Sequence, residues 1–308
     1  MGDVRRRKFI ALVGGAVALP MAAWAQQSKV HRIGLLALTD ADAQSFGREL
    51  REGLRELGIV EGQHYTVEGR SADGNANLLP GLAAELVRLN VDIITALFTP
   101  CALAAKQATL VIPIVFAAAG DPIGTGLVAS LARPGGNITG LSNMAAETAG
   151  KSVELLRDML PSLRRVALLA NPVDPFTKSI VEQVQLAGRA ASIQIAPVVM
   201  VRGVDEAEAA FAAIAQAQAE AVVVQGIFFS RTFADLAIKY CLPSASVVRA
   251  FANAGGLMTY GASVATMSHR SAVLVHKIML RVDPQTCRWS SPPSSSLRSI
   301  SNRPMPKG

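Results

Sequence analysis

Chemistry at a protein site needs an activated nucleophile, a metal cluster, paired carboxylates, or polar groups that converge on a bound molecule, and this sequence points to the last. Its three cysteines, Cys101, Cys241 and Cys287, are scattered and lack any CxxC spacing. Cys101 and Cys241 hold related positions in the two halves of the chain, each in or beside a helix, and read as packing residues. Of the four histidines, His31 precedes a strand, His64 sits beside a turn, and His269 and His276 lie two helical turns apart near the end. No Cys-His or His-His pair follows, so the expectation is a protein without catalysis, metal or cofactor.

The convergent groups lie where strands end, the place at which open α/β sheets take ligands. In the first half these are Thr39 and Asp40, then Phe98, Thr99 and Pro100, then Ala118 to Asp121. In the second they are Asn171 before Pro172, Gln225 with Gly226, and Tyr260 with Gly261. Thr99 before Pro100 has the N-cap and first-turn residues of a helix start, whose free amides suit a carboxylate. Asp121 suits an ammonium, and Phe98 and Tyr260 suit an apolar or aromatic side chain. Each also has a plainer role: Asp121 as a turn residue, Thr99 as a cap alone, Phe98 as core, Asn171 as a turn initiator.

Positioning these groups requires strands alternating with helices, and that is the pattern. His31 to Leu38 is an apolar strand and Ser45 to Leu57 a helix ended by Gly58. His64 to Gly69 alternates as a strand, and Ala76 to Leu89 spaces its leucines helically. Val91 to Leu97 is a buried-type strand, Pro100 to Thr109 a helix, and Ile114 to Ala117 a strand. Between Ile112 and Ser142, two short extended segments are separated by Gly120-Asp121-Pro122 and Arg133-Pro134-Gly135-Gly136-Asn137, and read as strands joined by an exposed helix and turns. Further on, Thr148 to Leu160, Phe176 to Ala191, Val204 to Gln218 and Arg231 to Tyr240 are helices. Leu257 to Thr259 is a short strand and Val264 to Leu280 a last helix.

The two halves repeat each other. Arg32-Ile33-Gly34-Leu35-Leu36-Ala37 answers to Arg165-Val166-Ala167-Leu168-Leu169-Ala170, and Val91-Asp92-Ile93-Ile94-Thr95 to Glu220-Ala221-Val222-Val223-Val224. Leu103-Ala104-Ala105-Lys106 before Ile112-Pro113 answers to Leu236-Ala237-Ile238-Lys239 before Leu242-Pro243. Matching order and spacing predict two related α/β lobes, Rossmann-like, each with a parallel sheet, joined by a multi-strand hinge and able to close over a ligand.

The formal charge of +7 is misleading, because eight of the 30 basic residues and one of the 23 acidic ones lie in the first 25 or last 23 positions. The stretch between is formally neutral, which argues against nucleic acid as a partner. The first 25 residues read as an export signal: Arg5-Arg6-Arg7-Lys8, an apolar run from Phe9 to Ala18, then Ala23-Trp24-Ala25 as a small-x-small cleavage site. Arg6-Arg7-Lys8-Phe9-Ile10 also resembles a twin-arginine motif. The expected location is the periplasm, after cleavage near Ala25.

Several motifs together carry a family resemblance. They are Gly53-Leu54-Arg55-Glu56-Leu57-Gly58, Thr99-Pro100 with Ala104 to Thr109, Ile112-Pro113-Ile114-Val115-Phe116, Gly120-Asp121-Pro122, Leu131 to Gly140, and Ala254-Gly255-Gly256-Leu257-Met258-Thr259-Tyr260-Gly261. The chain resembles the substrate-binding proteins of ABC transporters, in the group that includes tryptophan- and tyrosine-binding members. The resemblance implies a periplasmic-binding-protein type I fold, capture of a small-molecule ligand between lobes, and delivery to an ABC permease of the inner membrane by a monomer. Residues 26–143 with 263–284 then form the N-terminal lobe and 144–262 the C-terminal lobe. An aromatic or branched amino acid is the first expectation for the ligand. A periplasmic sensor that presents its ligand to a membrane receptor would use the same fold, and a neighbouring permease gene would separate the two. A nucleotide-dependent enzyme would carry GxGxxG after the first strand, where Leu38 to Ala43 has no glycine.

Three departures from the family pattern stand out. Phe98 takes the place of a usual glycine. Val224-Gln225-Gly226-Ile227 replaces Leu-Gly-Asp-Pro, removing an acid from the mouth of the second lobe. From about Gln285 to residue 308 the chain reads as a frameshifted, disordered tail.

Overall fold

The structure is a computed structural model that describes residues 29–280 except 131, 132 and 229. The expected export signal and the expected frameshifted tail lie outside the described residues.

The first lobe is built from β1 (His31–Ala37), α1 (Asp40–Glu56), β2 (Tyr65–Ser71), α2 (Leu79–Arg88), β3 (Ile93–Leu97), α3 (Phe98–Ala108), β4 (Ile114–Ala119) and β5 (Ile138–Ser142). The second repeats the order with α4 (Ala145–Met159), β6 (Arg165–Ala170), α5 (Thr177–Ala191), β7 (Gln194–Met200), α6 (Ala207–Gln216), β8 (Ala221–Val224), α7 (Arg231–Lys239), β9 (Ser244–Ser246), α8 (Arg249–Asn253) and β10 (Met258–Thr259). A final helix, α9 (Val264–Met279), follows. The sheets run β2-β1-β3-β4-β5 and β7-β6-β8-β9-β10, strand for strand the same arrangement. The pairs β1 with β3 and β6 with β8 are parallel; Ile33 stands opposite Ile93 and Val166 opposite Ala221, so the structural counterpart of Ile93 is Ala221, one position from the match read in the sequence.

Parallel strands covered on both faces must be apolar throughout, and alternate residues then serve different cores. Ile33, Leu35 and Ala37 of β1 pack with Phe46, Leu50 and Leu54 of α1, while Leu36 faces α2 and α3. The second lobe does the same, with Val166, Leu168 and Ala170 toward α4 and α5 and Ala167 and Leu169 toward α6 and α7.

The lobes exchange a helix. The chain leaves β5, at one edge of the first sheet, and α4 packs on α5 in the second lobe; it leaves β10, at the corresponding edge, and α9 packs back on α1. Among the described residues these are the two crossings. Glycine makes both helix pairs close: a Cβ on Gly53 of α1 would stand 2.4 Å from the His269 carbonyl oxygen of α9, and one on Gly150 of α4 would stand 3.1 Å from the Gln183 carbonyl oxygen of α5.

Several elements differ from expectation. The exposed helix expected between β4 and β5 does not form: the described residues there are turns, with Gly126 at φ +69°, and Leu127 and Val128 are buried under the first sheet. Strands β7 and β9 and helix α8 were not anticipated. β7 is a half-exposed edge strand containing Pro197, and β9 is Ser-Ala-Ser. Cys101 and Cys241 are not equivalent, since Cys101 lies buried in the first turn of α3 whereas Cys241 is exposed beyond the end of α7.

Candidate functional site

Between the lobes lies a cleft of about 560 Å³, in the range of small-molecule sites. Its walls are pseudo-symmetric. The first lobe contributes Leu38 after β1, Gly74 to Asn77 after β2, and Pro100, Leu103, Ala104 and Gln107 of α3. The second contributes Asn171, Val173 and Asp174 after β6, Arg202 to Val204 after β7, and Ile227, Phe228, Ser230 and Phe233 before and within α7. Apolar side chains make most of this surface, and Phe228 and Phe233 stack at a tilt with ring centroids 4.6 Å apart.

Of the strand-end residues expected from the sequence, Pro100 and Asn171 line the cleft. Gln225 lies beneath it, 2% exposed. Its Oε1 accepts from the Asn171 amide at 2.7 Å, which fixes the orientation of the amide group. Its Nε2 donates to Asp174 Oδ2 at 3.0 Å and to the Thr177 hydroxyl at 3.1 Å. The Thr177 hydroxyl in turn donates to the Asn171 carbonyl at 2.5 Å. Both Nε2 protons are therefore spent inside the second lobe.

The remaining expected residues lie outside the walls of the cleft. Thr39 caps α1 by accepting from the Asp42 amide at 3.1 Å, and Asp40 is exposed in the first turn. Thr99 was expected to cap a helix beginning at Pro100, but α3 begins at Phe98 and the buried Thr99 hydroxyl accepts instead from the Gly120 amide at 2.9 Å, tying α3 to the end of β4. Phe98 has φ +67° and Ala118 φ +59°, both in the left-handed region that disfavours side chains. The glycine that the resemblance implies at position 98 would suit that backbone. Asp121 Oδ1 accepts from the Gly124 amide at 2.8 Å, and its Oδ2 accepts from the Ser179 hydroxyl of the other lobe. The Tyr260 amide donates to the Ser246 carbonyl at 3.0 Å. Gly261 passes so close to β9 that a Cβ there would stand 2.1 Å from the Val247 carbonyl oxygen.

Sequence reasoning missed Asp174 and Arg202. Asp174 sits in the turn opened by Asn171-Pro172, whose polar residues read as turn formers. Arg202 follows β7, a strand not recognised. Burial pushes the Asp174 carboxyl up to about 6, against weaker opposing hydrogen bonds from the Phe176 amide and Gln225. The missing acid at position 226 also has a local account: a Cβ on Gly226 would stand 2.7 Å from a Val248 methyl and 3.0 Å from a Val247 methyl, so those side chains occupy its space. Among the described residues no three of His, Cys, Asp and Glu converge as a metal site requires, and no helix is long and apolar enough to cross a membrane.

The two-lobed architecture recurs in solved structures. A conserved domain protein from Vibrio cholerae superposes with a TM-score of 0.81 at 23% identity, over 87% of this chain and 91% of that one. An ABC domain from Streptococcus pneumoniae, in complex with L-Trp, gives 0.79 at 21% identity, over 87% and 92%. A tyrosine-binding protein of Clostridioides difficile is 32% identical over 120 residues, 39% of this chain and 34% of that protein, so the match spans about a third of the relative's length. These neighbours establish the type I periplasmic-binding fold, and with the family pattern running through residues 33–297, from the first strand past the last described helix, the chain belongs to the ABC transporter substrate binding proteins.

Proposed function

We propose that this protein is the extracytoplasmic solute-binding component of an ABC importer, which holds a small molecule between its lobes and presents it to a permease in the inner membrane. The observation that carries this reading is the pseudo-symmetric interlobe cleft, apolar in its walls and carrying a few polar groups at strand ends. In this reading residues 26–143 with 263–284 and residues 144–262 move as two bodies. Pro100 and Asn171 stand in the walls of the solute site. Thr39, Asp40, Phe98, Thr99, Ala118, Asp121, Gln225, Tyr260 and Gly261 hold those walls in place.

An aromatic or branched amino acid suits the volume and the Phe228–Phe233 wall, and solved or curated relatives named for tryptophan and tyrosine support that class. The protein acts in the periplasm as a monomer, without a cofactor. A thermal-shift screen of the mature protein against amino acids, small carboxylates, sugars and polyamines tests the reading, because a ligand of the native state raises the apparent melting temperature by mass action. A shift with an aromatic or branched amino acid is the expected result. A shift with sugars alone would reject the ligand class, and no shift with any solute would reject solute binding.

A further inference from the structure

The cleft is uncharged on one side and charged on the other. The first lobe offers Asn75, Asn77 and Gln107 as its polar groups, and the second offers Asp174 and Arg202 as the only charged residues among the described ones that line the space. The two charges differ in setting. The Arg202 side chain is 73% exposed and stands 3.8 Å from Glu206, an ion pair at the rim. Asp174 is drawn inward and held by the network under the cleft, with one hydrogen bond from Gln225 Nε2 at 3.0 Å and a long one of 3.4 Å from the Phe176 amide. An ionised carboxylate offers about four acceptor sites, so these two hydrogen bonds leave capacity unused on a residue that lines the cleft. A carboxylate withdrawn from water without a cation is costly, and a bound cation removes that cost.

We propose that Asp174, held in place by Gln225, is the group of the cleft that reads a cation, and that the solute carries a protonated amine on an apolar body. This rests on the cleft being the solute site. Gln225 is a positioning residue: with its amide protons spent on Asp174 and Thr177, it acts on the solute through the carboxylate. A neutral sugar would leave the carboxylate without a counter-charge, and an anionic acid lacking the amine would meet repulsion. The upward displacement of the Asp174 carboxyl to about 6 by burial fits a group awaiting a cation, and makes capture sensitive to pH. The groups facing it are Gln225 beyond β8, the Phe176 amide and Thr177 at the start of α5, and Asn171 beyond β6, all uncharged. Arg202 beyond β7, on the same lobe, is the other charged residue among the described ones that line the cleft.

The test uses wild-type protein with four matched sets: the common L-amino acids, their decarboxylated amines, their deaminated acids, and neutral sugars. Members of the first two sets are expected to bind, and the best of them to lose at least about tenfold in affinity in Asp174→Asn, a near-isosteric change. Wild-type affinity is expected to fall as the pH drops below about 6, by up to about tenfold per pH step of one, as protons compete with the amine. Gln225→Ala is expected to move that midpoint upward, because the carboxylate loses a donor; a merely structural role would lower the melting temperature and leave the midpoint in place. Equal binding of deaminated acids or sugars by wild type and Asp174→Asn would overturn the proposal while leaving solute binding intact. Failure of all four sets would overturn both.

Discussion

The hydroxyl of Ser179, on α5 of the second lobe, donates to the carboxylate of Asp121, at the end of β4 in the first. Nearby, Phe176 lies against Gly120, where a Cβ would stand 2.7 Å from the ring, so a polar and an apolar contact bridge the lobes at one place. Rotation of the lobes must pull on both. Ser179→Ala removes one hydrogen bond worth about 1 kcal/mol. The expected outcome is a larger ligand-free envelope in small-angle scattering and solute affinity weakened about fivefold, with the denaturation midpoint nearly unchanged.

Phe98 inverts a usual order of stability. With φ at +67°, it holds a backbone shape in which a Cβ is strained by about 1 kcal/mol or more, while its ring packs against the first core. Alanine at this position loses the ring and keeps the strain; glycine loses the ring and releases it. Chemical denaturation should find Phe98→Gly more stable than Phe98→Ala by about 1 kcal/mol. The opposite order would show that the strain is absent.

The crossing of α1 and α9 tolerates no added carbon. In Gly53→Ala the new methyl would meet the His269 carbonyl at 2.4 Å and the Ala272 methyl carbon at 2.8 Å, and both belong to another element rather than to a flexible side-chain tip. A loss of about 1–3 kcal/mol is expected, with faster hydrogen exchange concentrated in α9. Unchanged exchange there would contradict the packing described.

Asp174 should weaken the unliganded fold at neutral pH. Its folded carboxyl, up at about 6, exceeds the ordinary unfolded value of about 3.9, so the folded state takes the proton first. The group's contribution is therefore most favourable below about pH 4 and is lost as pH rises through about 6. Asp174→Asn removes that loss. Unliganded variant and wild type should have similar stability near pH 4, and the variant should gain roughly 1–2 kcal/mol above pH 6, a partly solvent-accessible acid giving less than full burial would. Parallel curves across that range would refute it.

Legibility in the sequence followed burial. Strands β1, β3, β6 and β8 are covered on both faces and spell nearly unbroken apolar runs, so their places and the duplication were readable. β7 and β9 were not, because an edge strand with Pro197 and a three-residue Ser-Ala-Ser segment carry neither period nor length. Of the strand-end residues, Pro100 and Asn171 line the cleft and the others lie around it. Thr99 has the chemistry of a cap and is used as a tie to Gly120, and Gln225 has the chemistry of a ligand contact and turns inward. Such choices depend on partners from strands far apart in the chain, which local pattern does not encode. The expected helix after β4 failed for a related reason: Leu127 and Val128 are drawn under the sheet, and the glycines beside them allow the chain to turn.

The exchange of helices sets an order of completion during synthesis. The elements from α4 to β10 follow one another in the chain, so that lobe has its own parts in hand as soon as β10 emerges. The other lobe is begun first and finished last. Until α9 is made, the face formed by Ile33, Leu35, Phe46 and Leu54 lacks the cover that Met267, Ala272, Val275 and Ile278 provide. A nascent chain halted before position 264 would thus carry one closed half and one with its greasy side still bare, which is the half that chaperones would be expected to grip.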